Sequence, residues 1–231
     1  MNDEAKTRIR AAARARRRAR LEQARALSSC AFQAFKTEEA RGLLNAWRAL
    51  LRYYGLTHPF LPALFLPTGT EPDIRLILDS SPSIVPALVD PSGLSLTSPN
   101  WMLHSGTQLP APSGCRSANP DLEHAHGGPR SRPSCLLGAE ALAEADIILV
   151  PALAVDTLGN RIGQGGGWYD RALLHARPWS PKVAVLFDEE VSFSPLPVMA
   201  HDQKVQAIVT PSGYRILKEA EGEAAHKYPG S

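Results

Sequence analysis

The chain has 231 residues, of which 44% are hydrophobic and 21% charged, as in an ordinary globular protein. This length is enough for one sizeable core, and we expect a single domain that spans residues 1–231. The formal net charge is +2, and the sequence contains no run of about eighteen apolar residues that would span a membrane.

The first predicted element is a basic helix over residues 4–27, which contains strong helix formers and neither glycine nor proline. Its cations lie together with no acid among them: Lys6, Arg8, Arg10, Arg14, Arg16, Arg17, Arg18 and Arg20. Three interpretations are open: a solvated face, which is usual for a charge run, a stripe that binds nucleic-acid phosphates, or part of a nucleotide site. Nucleic acid is the least favoured, because no aromatic residues that would stack on bases interleave with the run.

Helices and strands alternate through the next part of the chain. Apolar residues at helical spacing, among them Trp47, predict a helix over residues 36–54, and Gly55 and Pro59 mark its end. Three shorter elements follow: a strand over 63–66, a helix over 73–78 and a strand over 84–89.

Residues 90–137 are rich in proline, glycine and serine, which predicts a long irregular loop. It contains four potential metal ligands: Cys115, His124, His126 and Cys135. Their spacing matches no known ligand pattern, so a polar loop is preferred to a metal site. The three cysteines of the chain are odd in number and widely spaced, which favours a reducing compartment over a disulfide framework.

The remaining elements complete an alternating pattern. They are a helix over 138–145, strands over 147–150, 182–187 and 205–210, and a tail over 215–231 that we expect to fray. The alternation predicts an α/β fold with a mostly parallel sheet flanked by helices, in a Rossmann-like three-layer arrangement. Ligands of such sheets bind beyond the carboxyl ends of the strands, where the loops after Leu66, after Val150 and before Val205 are expected to converge.

The most informative stretch is a glycine loop, residues 163–167, between the apolar strand that ends at Pro151 and a helix that starts near Trp168. The continuous apolar run of this strand predicts that it is buried on both faces of the sheet. Glycines let the backbone approach a ligand closely, and a helix N-terminus offers unpaired N–H groups, so the arrangement is typical of phosphate binding. Arg161 adds a positive charge before the loop, and Asp170 after it is placed to hold the Mg²⁺ that accompanies a nucleoside triphosphate. The alternative is a glycine-rich turn with ordinary helix capping, because neither GxGxxG nor GxxxxGK[ST] is present.

This stretch resembles the signature of the 5-formyltetrahydrofolate cyclo-ligase family. The family pattern is valine-proline, a short apolar run, and then Arg-Leu-Gly-x-Gly-x-Gly-Tyr-Tyr-Asp-Arg. The chain has Val150-Pro151 and then, over residues 161–171, RIGQGGGWYDR. The likeness is strongest over residues 146–211. Two departures stand out: Gln164 lies where many relatives carry a basic residue, and the family's glycine-phenylalanine-glycine segment is missing from residues 106–120.

The resemblance implies a set of site residues. ATP would contact two cations of the first helix, Lys6 and Arg10, which lie one turn apart on one face. It would also contact the glycine loop and the residues that flank it: Arg161, Gly163, Gly165, Gly166, Gly167, Trp168 and Tyr169. The folate would contact Leu66, Glu71, Gln164 and Trp168, and Mg²⁺ would be held by Asp170 and Asp202. Arg161, Gln164 and Tyr169 would lie at the reacting groups. The additional arginines of the first helix are expected to face solvent. His201 is interpreted as a structural neighbour of Asp202, and the two aromatic residues either stack on a ligand ring or pack the loop against the core.

The implied reaction is the ATP- and Mg²⁺-dependent conversion of 5-formyltetrahydrofolate to 5,10-methenyltetrahydrofolate, with release of ADP and phosphate. Two alternatives stay open: a nucleotide-binding family member that does not turn folate over, which the altered middle loop motivates, and an RNA-associated protein that uses the basic helix. We expect a cytoplasmic monomer with no membrane partner. Asp3 and Glu4 disfavour a mitochondrial transit peptide, which is poor in acids.

Overall fold

The computed structural model describes residues 2–56, 58–106 and 135–217. Two long helices open the chain, α1 (Asn2–Arg25) and α2 (Ser29–Tyr53), and both predicted helices are confirmed. Helix α2 begins earlier than the predicted residue 36, because the side chain of Ser28 caps it by accepting a hydrogen bond from the N–H of Ala31. A third, one-turn helix, α3 (Arg75–Leu78), lies within the predicted range 73–78.

The strands and the remaining helix, in chain order, are β1 (Ser83–Pro86), β2 (Trp101–His104), β3 (Ile148–Pro151), β4 (Ala154–Asp156), β5 (Arg161–Ile162), α4 (Trp168–Ala172), β6 (Lys182–Val185), β7 (Val191–Ser192), β8 (Ala207–Thr210) and β9 (Gly213–Ile216). Short 3-10 turns cover Glu140–Glu144, Leu173–His175 and Asp188–Glu190. The predicted helix over 138–145 is therefore a 3-10 turn.

The main sheet has parallel strands at its centre and antiparallel strands at its edges. Strands β3, β6 and β8 pair in parallel, β9 adds an antiparallel edge, and β1 and β2 form an antiparallel pair. The predicted strand over 63–66 is reduced to single bridges from Ala63 to Ile84 and Ile148, both parallel, which join the two parts of the sheet. A smaller sheet contains β4 with β5 antiparallel and β7 parallel. The fold is thus mixed α/β, and the Rossmann-like three-layer arrangement stays a prediction.

The core lies on both faces of the main sheet. Along β3, Leu149 packs with Trp47 and the other apolar residues of α2, whereas Ile148 and Val150 face a second cluster that contains Trp101. This alternation of an all-apolar strand confirms the prediction that the strand is buried on both faces. Trp47 is a core residue, as its helical spacing predicted.

Several short strands were not predicted from the sequence. Strand β2 lies in the region expected to be irregular, and β9 occupies residues 215 and 216, where the frayed tail was expected to begin. Strands of two to four residues are too short to show a periodicity of their own. Residues 107–134 and 218–231 of those two predicted segments lie outside the described residues, as do Cys115, His124 and His126.

The basic face of α1 is not simply solvated. Arg17 is 3% exposed, and its guanidinium donates to Glu190 at 2.6 and 2.8 Å and to the carbonyl of Ala152 at 2.6 Å. Arg20 pairs with Glu39 and lies over the ring of Phe187 at 4.6 Å. The expectation that the additional arginines face solvent is therefore wrong for Arg17 and Arg20, because their partners come from distant parts of the chain. It is right for three others: Arg8, Arg16 and Arg18.

No helix within the described ranges combines the length and the apolar composition that crossing a bilayer requires.

A close backbone approach between α2 and the turn that joins β8 to β9 gives a stability prediction. A Cβ placed on Gly42 of α2 would lie 2.3 Å from the carbonyl oxygen of Pro211, in the turn between β8 and β9. Gly42→Ala should therefore lower the free energy of unfolding by about 1–3 kcal/mol, because neither backbone can move without disturbing the core. Chemical denaturation measures this change. Gly69→Ala, where a Cβ would meet nothing within 4 Å, is the control and should be near neutral.

His104 gives a prediction about pH. Burial lowers the pKa of this half-buried imidazole, and the charge of Asp79 only partly opposes the effect. Since the unfolded chain then takes up the proton first, stability is full at neutral pH and declines as pH falls below about 6.5. The advantage of the wild type over His104→Gln should shrink between pH 7.5 and pH 5 in denaturation experiments. Leu103→Gln is the control, because Leu103 is an exposed residue of the same strand without a titratable group, so this substitution should change the free energy of unfolding by the same amount at both pH values.

Candidate active site

A cavity of about 440 Å³ lies between the first turns of α1, the segment 65–71, the glycine loop 163–167 and the turn before β8. Its lining includes every residue that was assigned to ATP, folate or metal from the sequence: Lys6, Arg10, Leu66, Glu71, Arg161, Gly163, Gln164, Gly165, Gly166, Gly167, Trp168, Tyr169, Asp170 and Asp202. The structure therefore brings these residues together, and the role of each one stays a prediction.

The glycine loop differs in its connection from what was expected. It does not follow the buried strand β3 directly, because the hairpin of β4 and β5 lies between them. The helix after the loop, α4, has only five residues, so its dipole is short. Gly165 and Gly167 have φ angles of 102° and 62°, conformations that glycine adopts without strain. The bend of the loop into the cavity thus depends on these two glycines.

Arginine side chains bind the carbonyl groups of the loop. Arg10 donates to the carbonyl of Gly163 at 3.2 Å, Arg14 to that of Gln164 at 2.6 Å, and Arg171 to that of Gly166 at 3.2 Å. In a trans peptide the next N–H points away from the carbonyl, so each arginine fixes the direction of one N–H. Within the described residues, the N–H groups of residues 164–167 donate to no protein acceptor. The loop thus offers consecutive backbone donors for an anion.

Arg161 and Asp170 form a buried pair in the cavity wall. Arg161 is 6% exposed, and its Nη2 donates to Oδ1 of Asp170 at 2.6 Å. The same oxygen accepts from the N–H of Gln203 at 3.3 Å. The Nε of Arg161 is buried with no hydrogen-bond partner among the described residues. Arg161 thus keeps one unpaired donor within the cavity wall.

Lys6 and Asp202 form a second pair across the cavity. The ammonium of Lys6 is buried and donates to Oδ2 of Asp202, which also accepts from the N–H of Met199 at 2.7 Å. Burial alone would raise the pKa of Asp202, but the hydrogen bonds from Lys6 and Met199 and the charges of Lys6 and His201 outweigh it and lower the pKa. Asp202 is therefore a stable carboxylate. His201 is exposed, with its Nε2 3.9 Å from Oδ1 of Asp202.

Glu71 and Leu66 line another wall. Glu71 is buried, and its Oε2 accepts from the N–H of Thr68 at 2.8 Å. Its Oε1 accepts from Nε2 of Gln164 at 3.3 Å, although the two residues are 93 positions apart in the chain. Leu66, which is half-buried, continues this wall toward the apolar core.

The two aromatic residues of the loop pack against the protein. Trp168 makes edge-on contacts with Trp101 and Tyr169, with ring centroids 5.1 and 4.8 Å apart. These ring contacts favour packing of the loop against the core, although Trp168 and Tyr169 also line the cavity. The hydroxyl oxygen of Tyr169 is buried without a partner among the described residues. Burial raises the pKa of Tyr169 well above its ordinary value, with a further rise from Glu71 and an opposing effect of Arg161, so the phenol is neutral.

The carboxylates suit Mg²⁺ only in combination with a ligand. Among the described residues, no group of three or more His, Cys, Asp or Glu side chains could hold a metal ion alone. Asp170 and Asp202 each engage one oxygen in a strong hydrogen bond and leave the other for a cation. Mg²⁺ is commonly bound by one or two carboxylates together with substrate phosphates and water, so the donor set fits Mg²⁺ that arrives with a nucleotide.

Some residues of the site were missed in the sequence. Arg14, which binds the loop, lies one helical turn beyond Arg10, so the i, i+4 spacing that linked Lys6 to Arg10 was the available signal. The others that line the cavity are Asp3, Phe65, Thr68, Pro86, Leu88, Pro151, Met199 and His201. Apart from Pro151, which belongs to the valine-proline of the family pattern, and His201, which was interpreted as a neighbour of Asp202, they carry no motif.

The mixed α/β fold has solved counterparts. A solution structure of a 5,10-methenyltetrahydrofolate synthetase from Aquifex aeolicus superposes with a TM-score of 0.59 at 22% identity, over 97% of this chain and 98% of that one. A synthetase of the same name from Mycoplasma pneumoniae gives a TM-score of 0.52 at 15% identity, over 86% and 98% of the two chains. At these identities the likeness defines the class of fold.

Sequence comparison is more specific. The model of the 5-formyltetrahydrofolate cyclo-ligase family matches residues 96–211. A 5-formyltetrahydrofolate cyclo-ligase from Mycolicibacterium smegmatis is 32% identical over 185 residues, which cover 78% of this chain and 85% of the relative. An Escherichia coli protein of the same name is 34% identical over 71 residues, which cover 31% of this chain and 39% of that protein. The chain belongs to the 5-formyltetrahydrofolate cyclo-ligase family, a family of enzymes, and the resemblance found in the sequence is confirmed.

Proposed function

We propose that this protein catalyses the ATP- and Mg²⁺-dependent conversion of 5-formyltetrahydrofolate to 5,10-methenyltetrahydrofolate, with release of ADP and phosphate. The observation that carries the proposal is one cavity that joins free backbone donors, buried cations and two carboxylates to a partly apolar wall with a buried glutamate. The backbone donors, the cations and the carboxylates suit a triphosphate with its metal ion. The partly apolar wall with its buried glutamate suits a flat heterocycle that has hydrogen-bond donors.

The chemical difficulty lies in the formyl amide. Its carbon is a weak electrophile, and its oxygen is a poor leaving group. Transfer of the γ-phosphoryl group to the formyl oxygen releases ADP and improves both properties. N10 then attacks the carbon and loses its proton, and the C–O bond breaks to release phosphate. Such a reaction needs alignment and charge stabilisation from the protein and little covalent participation.

The residues of the phosphate side have complementary tasks. Lys6, Arg10 and Arg161 offset the charge of the phosphates, and the loop N–H groups bind their oxygens. The free Nε of Arg161 and the neutral hydroxyl of Tyr169 are buried donors that match oxygens of the transferring group. Mg²⁺, held by Asp170 and Asp202 with the phosphates, would supply the charge that neutralises the polyphosphate.

The folate side uses a different chemistry. A pterin ring presents neighbouring N–H donors, and the carboxylate of Glu71 has remaining acceptor positions for them. Leu66, Phe65 and Leu88 supply apolar surface in the same wall, so the ring can be buried while its polar edge is satisfied. Gln164, within the glycine loop, donates to Glu71 of this wall, and Trp168 directly follows the loop. We assign both residues to the place where the formyl group would meet the γ-phosphate.

The direct test is turnover of 5-formyltetrahydrofolate, followed by the near-ultraviolet absorbance that the conjugated methenyl product gains. We expect product only when ATP and Mg²⁺ are both supplied, with one ADP released for each product. ATP binding without product would instead identify a nucleotide-binding family member that does not turn folate over. Absence of ATP binding would reject the proposal.

Asp170→Asn should lower kcat by roughly a hundredfold, which corresponds to about 3 kcal/mol, because the variant removes a charge that positions the metal and Arg161. The amide still accepts from Arg161, so circular dichroism and thermal melting should show a folded protein. The control is Asp73→Asn, since Asp73 pairs with Arg75 away from the cavity. An Asp170→Asn enzyme with wild-type kcat would exclude Asp170 from the mechanism.

A further inference from the structure

A chain of three polar side chains connects α1 to the wall of the cavity that contains Glu71. The Nε of Arg14 donates to Oε1 of Gln164 at 3.1 Å, and Nε2 of Gln164 donates to Oε1 of Glu71 at 3.3 Å. Arg14 and Gln164 are exposed, whereas Glu71 is buried. These three hydrogen-bonded side chains therefore lead from the protein surface into the cavity.

The ends of this chain determine the orientation of the carboxamide in its middle. A guanidinium can only donate hydrogen bonds, and a carboxylate can only accept them. Gln164 satisfies both neighbours only when its oxygen faces Arg14 and its NH₂ faces Glu71. Without Arg14 the carboxamide would lose the partner that favours this rotamer over the others available to an exposed glutamine.

Arg14 holds Gln164 at two points, because its Nη2 also donates to the main-chain carbonyl of Gln164 at 2.6 Å. The backbone of the glycine loop and the side chain of Gln164 are thus fixed together. On the far side, the second oxygen of Glu71 accepts from Thr68. The direction of the Glu71 carboxylate is consequently set from both sides, once by its own loop and once by Gln164.

We infer that Arg14 is a positioning residue, which acts through Gln164 to orient Glu71 and so couples the glycine loop to the heterocycle-binding wall. This inference rests on the proposed function, since it assigns Glu71 to the folate side and the loop to the phosphate side. It adds a residue that contacts neither substrate. Its consequence is that a loss at Arg14 weakens folate binding more than ATP binding.

The test is Arg14→Gln in the full-length protein. We expect the KM for 5-formyltetrahydrofolate to rise about five- to tenfold, the effect of losing one ordinary hydrogen bond. The KM for ATP should rise by no more than about twofold, because Arg14 fixes the direction of only one of the loop N–H groups. Arg18→Gln is the matched control, because Arg18 is an exposed arginine of the same helix that lies outside the cavity. A merely structural role of Arg14 would change both KM values or the melting temperature instead.

The path through Gln164 is tested with Gln164→Ala and the double variant. If Arg14 acts through this side chain, the double variant should bind folate no more weakly than Gln164→Ala alone. Additive losses, or equal losses for ATP and folate, would overturn the inference.

The outcomes separate this inference from the proposed function. Wild-type turnover combined with an unchanged Arg14→Gln enzyme rejects the role of Arg14 and leaves the proposed function standing. If the wild type gives no turnover, calorimetric titration with 5-formyltetrahydrofolate replaces kinetics. Weaker binding by Arg14→Gln than by the wild type then supports the positioning role, and equal binding or no binding by the wild type rejects it.

Discussion

The cavity depends on the buried pairing of Arg17 with Glu190. Removing two charges from water is costly, and the cost is met only when the geometry is good and further donors are satisfied. Here the guanidinium makes two bonds to the carboxylate and a third to the carbonyl of Ala152, which lies directly after β3. Its Nη1 is buried with no partner among the described residues, so the three bonds offset most but not all of the cost. The pair therefore fixes α1 in position and rotation against the sheet. Lys6, Arg10 and Arg14, at helical spacing before Arg17, are thereby directed at the site.

A second constraint is that the cations of the site are already paired with its carboxylates. Lys6 pairs with Asp202, and Arg161 with Asp170, in surroundings with little access to water. Such pairs hold side chains in place and prevent the uncompensated burial of either charge. In the proposed reaction, phosphate and Mg²⁺ exchange partners with these pairs, so the positive groups meet phosphate and the carboxylates meet the metal. Each charged group thus exchanges one partner of opposite charge for another and is not left unpaired.

The elements that were predicted correctly are those with a pattern in residues close together in the sequence. The long helices, the strand that contains Leu149 and the glycine loop each have a local pattern, and the structure contains all of them. The convergence of Glu71, Asp202 and the loop was expected from the family resemblance and from the rule about strand ends. What failed was non-local: the hairpin of β4 and β5 is too short to show periodicity, and the partners of Arg14 and Arg17 lie 150 and 173 positions away. The burial of Arg17 could not be inferred from a run of arginines.

The attachment of α1 has a consequence for the dynamics of the enzyme. Few apolar residues of the helix are buried, chiefly Ala13 and Ala24, with Ile9 packed at the edge of a small cluster. The helix is thus held by polar contacts around a narrow apolar seam, while the sheet has its own core on both faces. In such an arrangement α1 belongs to the part of a protein that opens by local unfolding before the rest. One wall of the cavity is thus joined to the sheet by ion pairs and hydrogen bonds more than by apolar packing, and we expect it to open before the sheet does.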